Sequence, residues 1–307
     1  MTAIDEFRGV YPAMCTPFHE DDSIDFETLR ADARRLVDAG VDGVVPVGST
    51  GESATLTHDE HIEVVETVVE AVDDVPVIAG SGSNSTHEAV DLSRRAAGAG
   101  ADALLLISPY YNKPEQAGFE QHFRAVADAV DLPQIVYNVP GRTGKNVEPE
   151  TVAELATHGN IRAYKAASGD VAQISEVIEH TRDEDLAVLS GDDALTLPVC
   201  SLGGRGVISV AGNVEPERTV ELVDAALAGD LDRARELHFE LSPLFRQLFA
   251  ETNPIPVKAA MAIRGHAPET LRSPLTELSE EPREELERIL AELAAADGAA
   301  TNTTEAA

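Results

Sequence analysis

The chain has 307 residues, 43% of them hydrophobic, which is enough apolar material for a large core in one or two domains. Its formal net charge is -32, from 55 acidic against 23 basic residues, and a surface of that sign repels nucleic-acid phosphates and anionic membranes. No run of about 18 apolar residues reads as a membrane span.

The first eight residues, Met1 to Arg8, lack a basic region followed by an apolar one, so no secretory signal is expected. Two cysteines, Cys15 and Cys200, give neither a disulfide framework nor a cysteine metal site. A cytoplasmic compartment is the expectation. Only four of the basic residues are lysines, and the acids are spread along the whole chain. That composition suits a salt-rich cytoplasm, where counterions screen self-repulsion.

Short apolar runs alternate with amphipathic stretches at roughly thirty-residue intervals. Val10–Thr16 reads as a first strand, followed by a helix over Phe26–Ala39 that ends at Gly40. Gly43–Val47 reads as a second strand. It leads into Gly48-Ser49-Thr50-Gly51-Glu52-Ser53, where two hydroxyls between glycines suit close approach to an anion, or simply a tight turn. Thr57 and Glu60 form a capping box ahead of a helix over Asp59–Val72. Val75–Ala79, a helix over His87–Ala99 and Ala103–Ile107 follow. The loop Ser108-Pro109-Tyr110-Tyr111-Asn112-Lys113-Pro114 then sets two tyrosines side by side in a chain with 4% aromatics. They serve a site, a hydrophobic plug or a subunit contact. A helix over Phe119–Val130 precedes Gln134–Tyr137, after which Asn138-Val139-Pro140-Gly141-Arg142-Thr143-Gly144 carries an arginine on a Pro-Gly turn. A helix over Pro149–His158 leads to Ile161–Lys165, then come Ala187–Leu189 with Ser190-Gly191-Asp192-Asp193, and Gly206–Val210.

Eight strands alternating with helices over about 210 residues predict a (β/α)8 TIM barrel, with a C-terminal helical extension beyond it. No glycine-rich turn follows the first strand, which argues against an open nucleotide-binding sheet. The expected division is 1–225 for the barrel, 226–296 for the helical region and 297–307 for a flexible tail. Barrel chemistry collects at the C-terminal strand ends. There the chain offers an amine at Lys165, a phenol at Tyr137, hydroxyls at Ser49 and Thr50, and the Arg142 guanidinium. A lysine held at a desolvated strand end tends to lose its proton and becomes a nucleophile for carbonyls. That set suits a small keto acid. No metal-ligand cluster, P-loop or dinucleotide fingerprint is visible, so no metal or cofactor is expected.

These motifs, together with Gly206-Val207-Ile208-Ser209 and Asn253-Pro254-Ile255-Pro256-Val257-Lys258, closely resemble the dihydrodipicolinate synthase / N-acetylneuraminate lyase family in order and spacing, over about residues 8 to 295. The resemblance implies a class I, pyruvate-dependent lyase whose Lys165 forms a covalent imine with pyruvate. It implies Tyr137 as proton carrier and a hydroxyl relay from Tyr137 through Ser49 to Tyr111, with Tyr111 entering a neighbouring subunit of a homotetramer. Thr50 is implied to hold the pyruvate carboxylate, Arg142 the carboxylate of the aldehyde substrate, and Gly191 and Ile208 to line the pocket by their backbone. Arg142 points to the synthase branch, which joins pyruvate to L-aspartate-4-semialdehyde. The resemblance also implies inhibition by lysine at Ser53, Ala54, His58, His61, Asn84, Glu88 and Tyr110.

Two residues depart from the synthase pattern. Ser49 stands where threonine is usual, and Ala166 follows the lysine where glutamate is common. Both leave open a 2-keto-3-deoxy sugar-acid aldolase of the same family. A catalytically silent barrel acting as a sensor is the alternative from another class.

Overall fold

The computed structural model describes residues 7–304, with side chains through residue 296. Seven parallel strands form one curled sheet: β1 (Gly9–Pro12), β2 (Ile78–Gly80), β3 (Ala103–Ile107), β4 (Gln134–Asn138), β5 (Ile161–Ala166), β6 (Ala187–Ser190) and β7 (Gly206–Ser209), in the order β1-β7-β6-β5-β4-β3-β2. The expected second strand, Gly43–Val47, is not a ladder strand. Its residues still join both free edges. Val45 N–H donates to Pro12 O at 2.9 Å, Val44 N–H donates to Pro76 O at 3.0 Å, and Gly80 N–H donates to Pro46 O at 3.1 Å. Bridges Ala13↔Val45 and Val44↔Val77 close the ring into the (β/α)8 barrel. The segment stays short because Pro46 has no N–H and Val47 turns into left-handed backbone at φ 51.

Alternation along the strands sorts side chains into two layers. Ala103, Leu105, Ile135, Tyr137, Ala163 and Leu189 pack inside the barrel. Leu104, Leu106, Val136, Tyr164, Ala166 and Val188 face outward against the helices. Lys165 lies between the outward Tyr164 and Ala166, so it points to the interior. Ala166 is therefore on the opposite face of the strand from the amine.

The helices are capped as the composition suggests. Thr57 and Glu60 complete their capping box, Asp25 accepts from Thr28 N–H at 3.0 Å, and Asp170 accepts from Ala172 N–H at 2.9 Å. Beyond the barrel, helices Leu231–Gln247, Ile255–Ile263 and Glu280–Thr304 pack with Pro216–Ala228 around Leu222, Leu237, Leu241, Leu244, Val257, Met261, Leu286 and Leu290. The last helix runs into the stretch expected as a tail; residues 305–307 lie outside the described residues. Among the described residues no helix is long and apolar enough to cross a membrane.

Candidate active site

Lys165 is the penultimate residue of β5, in register with Tyr137 on β4 and Leu189 on β6. It is 5% exposed, and its Nζ lies 4.1 Å from the centroid of the Tyr137 ring. Burial pushes the amine down to about 7; nearby Asp193 opposes that shift and Arg142 adds to it. Among the described residues no carboxylate reaches the amine within ion-pair distance. A large fraction is therefore the free, nucleophilic base near neutrality.

The residues around it fix the stem. Gly191 N–H donates to Ala166 O at 2.7 Å, and a Cβ at Gly191 would lie 3.0 Å from both Lys165 Cγ and Cε. Glycine thus leaves room for the lysine at that strand end. Ile208 is buried in the adjoining barrel layer. Asp193, also buried, accepts from Ser209 Oγ at 2.5 Å and from the N–H groups of Val210 and Ala211 at 3.0 and 3.1 Å. Its carboxylate is the negative charge that most favours a protonated Lys165.

The Tyr137 phenol lies beside Ser49, and burial raises its pKa while the Ser49 hydroxyl and Arg142 oppose that shift. Asn138 holds the following turn. Its Nδ2 donates to Asn146 Oδ1 at 2.7 Å and to Tyr164 Oη at 2.9 Å, and its Oδ1 accepts from Val147 N–H at 3.1 Å. The turn Pro140–Thr143 carries Arg142, whose guanidinium donates to Asn253 O at 2.6 Å. Thr50 accepts at Oγ1 from Asn253 Nδ2 at 2.9 Å. The loop bearing Ser49 and Thr50 is anchored from below. Thr16 Oγ1 donates to Gly51 O at 2.7 Å, and the Glu52 carboxylate pairs with the buried Lys258 ammonium.

Tyr111 is 89% exposed on a left-handed residue at φ 69, so within one chain it does not join Tyr137 and Ser49. A cavity of about 560 Å³ is lined by Ser49, Tyr137 and Arg142. Ser53, Ala54, His58, His61, Glu88 and Tyr110 share its wall, whereas Lys165, Thr50, Gly191, Ile208 and Asn84 do not. In its outer part His58 Nε2 lies 3.1 Å from Glu88 Oε1, and Ser83 Oγ donates to the other Glu88 oxygen. Burial lowers the pKa of His61, whose Nε2–H donates to Gly80 O at 2.6 Å. Burial, with Glu88 nearby, raises the pKa of the Tyr110 phenol, and Ser83 opposes that shift. Asn84 contributes a main-chain carbonyl, which accepts from Asn112 Nδ2 at 2.8 Å.

Two residues at the site had no role assigned from the sequence, Asp193 and Asn253. Both stand inside motifs that were legible, the Asp192-Asp193 pair and the Asn253–Lys258 run. What was missing was their contact with elements 16 to 203 positions away. Among the described residues no three His, Cys, Asp or Glu side chains converge as for a metal ion.

Comparison with known proteins agrees with the geometry. The model of the dihydrodipicolinate synthetase family matches residues 6–293. A 4-hydroxy-tetrahydrodipicolinate synthase of Haloarcula marismortui is 72% identical over 297 residues, covering 97% of each chain. A dihydrodipicolinate synthase from Acinetobacter baumannii, solved in complex with pyruvate, is 40% identical with a TM-score of 0.90, covering 92% of this chain and 98% of that one. The enzyme from Cyanidioschyzon merolae, solved with lysine bound, is 40% identical with a TM-score of 0.90, covering 93% and 97%.

Proposed function

The chain belongs to the dihydrodipicolinate synthetase family, and on that premise we propose that it condenses pyruvate with L-aspartate-4-semialdehyde, the 4-hydroxy-tetrahydrodipicolinate synthase reaction that opens the diaminopimelate route to lysine. The observation that carries this reading is Lys165: an amine buried at a barrel strand end, brought to about 7, with a phenol against it. The neutral amine attacks the keto carbon of pyruvate and, with a proton taken up, water leaves to give the N-protonated imine. Loss of a methyl proton gives an enamine, whose carbon attacks the aldehyde. The chain supplies the covalent partner from its own side chain, and no cofactor enters.

Tyr137 moves protons at these steps, with Ser49 as the next hydroxyl. The strong exposure of Tyr111 supports its completing the relay in a neighbouring subunit of a homotetramer. Thr50 holds the pyruvate carboxylate, Arg142 that of the semialdehyde, and the backbone at Gly191 and Ile208 lines the pocket. Ser49 keeps the hydroxyl that threonine would supply, and Ala166 lies on the helix-facing side of its strand. Neither departure removes a group from the mouth, which favours the synthase over a sugar-acid aldolase and over a silent barrel. The -32 net charge supports a salt-rich cytoplasm as the place of work.

Lysine inhibits from the outer part of the same cavity. Glu88 would take its ammonium, while Ser53, Ala54, His58, His61, Asn84 and Tyr110 surround it. Tyr110 adjoins Tyr111, so occupancy bears on the relay directly.

Borohydride trapping with pyruvate tests the chemistry: mass spectrometry should find the reduced adduct on Lys165, and an unmodified Lys165 ends the reading. Arg142→Ala should raise KM for the semialdehyde about 10- to 100-fold through loss of a charge-assisted pair. Undiminished turnover of the semialdehyde in that variant would remove the substrate assignment.

A further inference from the structure

We propose that Asn253 is a positioning residue that sets the direction of the Thr50 hydroxyl and, through its main chain, the seat of Arg142, so that one residue of the C-terminal region orients the anchors of both substrates. The inference rests on the reading of Thr50 as the pyruvate-carboxylate partner. A hydroxyl carries one hydrogen and two lone pairs, whereas a side-chain amide nitrogen only donates. Asn253 Nδ2 lies 2.9 Å from Thr50 Oγ1, so the amide occupies a lone pair and leaves the Thr50 hydrogen to be donated elsewhere. An arriving carboxylate then meets a donor rather than a lone pair. Both residues are buried, at 2% and 4% exposure, where hydrogen-bond polarity is least relieved by solvent.

The same residue's carbonyl accepts from Arg142 at 2.6 Å, across 111 positions of chain. That contact uses one terminal nitrogen of the guanidinium and leaves its other donors for a substrate carboxylate. Asn253 is itself held at the head of helix Ile255–Ile263: Lys258 N–H donates to Pro254 O at 3.0 Å, and the Lys258 ammonium is tied to Glu52 on the Thr50 loop. Loop and helix start are thus locked to each other at two points.

Steady-state kinetics and melting of the full-length enzyme test this, with pyruvate and semialdehyde varied separately for N253A, N253D, T50V and N253D/T50V. Aspartate at 253 accepts rather than donates, which turns the Thr50 hydrogen away from the substrate. KM for pyruvate should rise roughly 10- to 100-fold in N253D and less in N253A. It should rise in T50V, and N253D/T50V should be no worse than T50V, because the polarity acts only through that hydroxyl. If the N253D and T50V effects multiply, the new carboxylate acts by direct repulsion and the proposal falls while the Thr50 reading stands. An unchanged pyruvate KM in T50V removes the Thr50 reading and the proposal together. If the 253 variants lower melting temperature and kcat with pyruvate KM constant, Asn253 is only a packing residue and the proposal falls. Should N253D not fold, N253A and N253A/T50V complete the same cycle: a double variant no worse than T50V supports the proposal, and multiplying effects overturn it.

Discussion

Two lysines are buried in this protein, and the chain treats them in opposite ways. Lys165 in the barrel mouth is 5% exposed, and no carboxylate among the described residues is in contact with it. Lys258, where the C-terminal helices meet the barrel, is 1% exposed and fully engaged. Its ammonium pairs with Glu52, donates to Thr270 O at 2.8 Å, and lies 4.2 Å from the Phe18 ring centroid. Arg272 reinforces that region, its N–H donating to Glu52 Oε2 at 3.1 Å and its guanidinium pairing with Glu60. Burial lowers the proton affinity of both amines, but at Lys258 a carboxylate in contact opposes the shift. Burial alone does not make a nucleophile. A buried amine becomes reactive where its counter-charge is withheld, and becomes structural where it is supplied.

The contrast breaks first at Lys165. Lys165→Ala should cut kcat on the order of 10⁴-fold or more, with no borohydride adduct and a melting temperature at or above wild type. A variant that unfolds instead would place Lys165 with the structural lysine. Lys258→Met should do the reverse, costing about 3–5 kcal/mol of stability by stranding the Glu52 carboxylate, with pyruvate still trapped on Lys165. The double variant K258M/E52L should recover most of that loss in chemical denaturation; no recovery would mean the two residues are not a pair in the energetic sense.

The pH dependence sharpens the comparison. Below about 7 Lys165 is protonated, so kcat/KM for pyruvate should fall about tenfold per unit on the acid limb. For stability the sign is fixed by the unfolded amine, which keeps its proton up to about 10.5. The unfolded state binds more protons between the two values, so Lys165's contribution to stability rises with pH across that window, and its cost is greatest below 7. Lys165→Met should flatten that rise; an unchanged profile would contradict a depressed amine. The smallest expected effect lies at the His58–Glu88 pair on the cavity wall. Glu88→Ala or His58→Ala should weaken the proposed inhibition by lysine several-fold while leaving kcat near wild type, and full retention of inhibition in both variants would remove this proposed site.

Much of the fold was legible because the strands are short and regular. Ala103–Ile107 was read at its observed bounds, and Ile161–Lys165 and Gln134–Tyr137 each within one residue. Val10–Thr16 and Val75–Ala79 differ more, the observed strands being Gly9–Pro12 and Ile78–Gly80, and Gly43–Val47 forms no ladder strand, since apolar composition says strand while Pro46 and the left-handed Val47 limit its pairing to bridges. The lysine, tyrosine and arginine of the candidate site were legible for a related reason: each stands at or just after a strand end, where barrel chemistry collects. Asp193 and Asn253 were not. A carboxylate beside another carboxylate and an asparagine before a proline carry no signal of their partners.

The alternation of strand and helix, the inward face of β5, and an amine, a phenol and a guanidinium at one end of the barrel all follow from the order of residues along the chain. Periodicity and local turn chemistry are properties of neighbouring residues, so they can be read along the chain. Which buried lysine is left without a carboxylate in contact, and that Asn253 reaches both Thr50 and Arg142, emerge with the folded arrangement. Those facts depend on which distant groups share a low-dielectric space, and no local pattern encodes that distance.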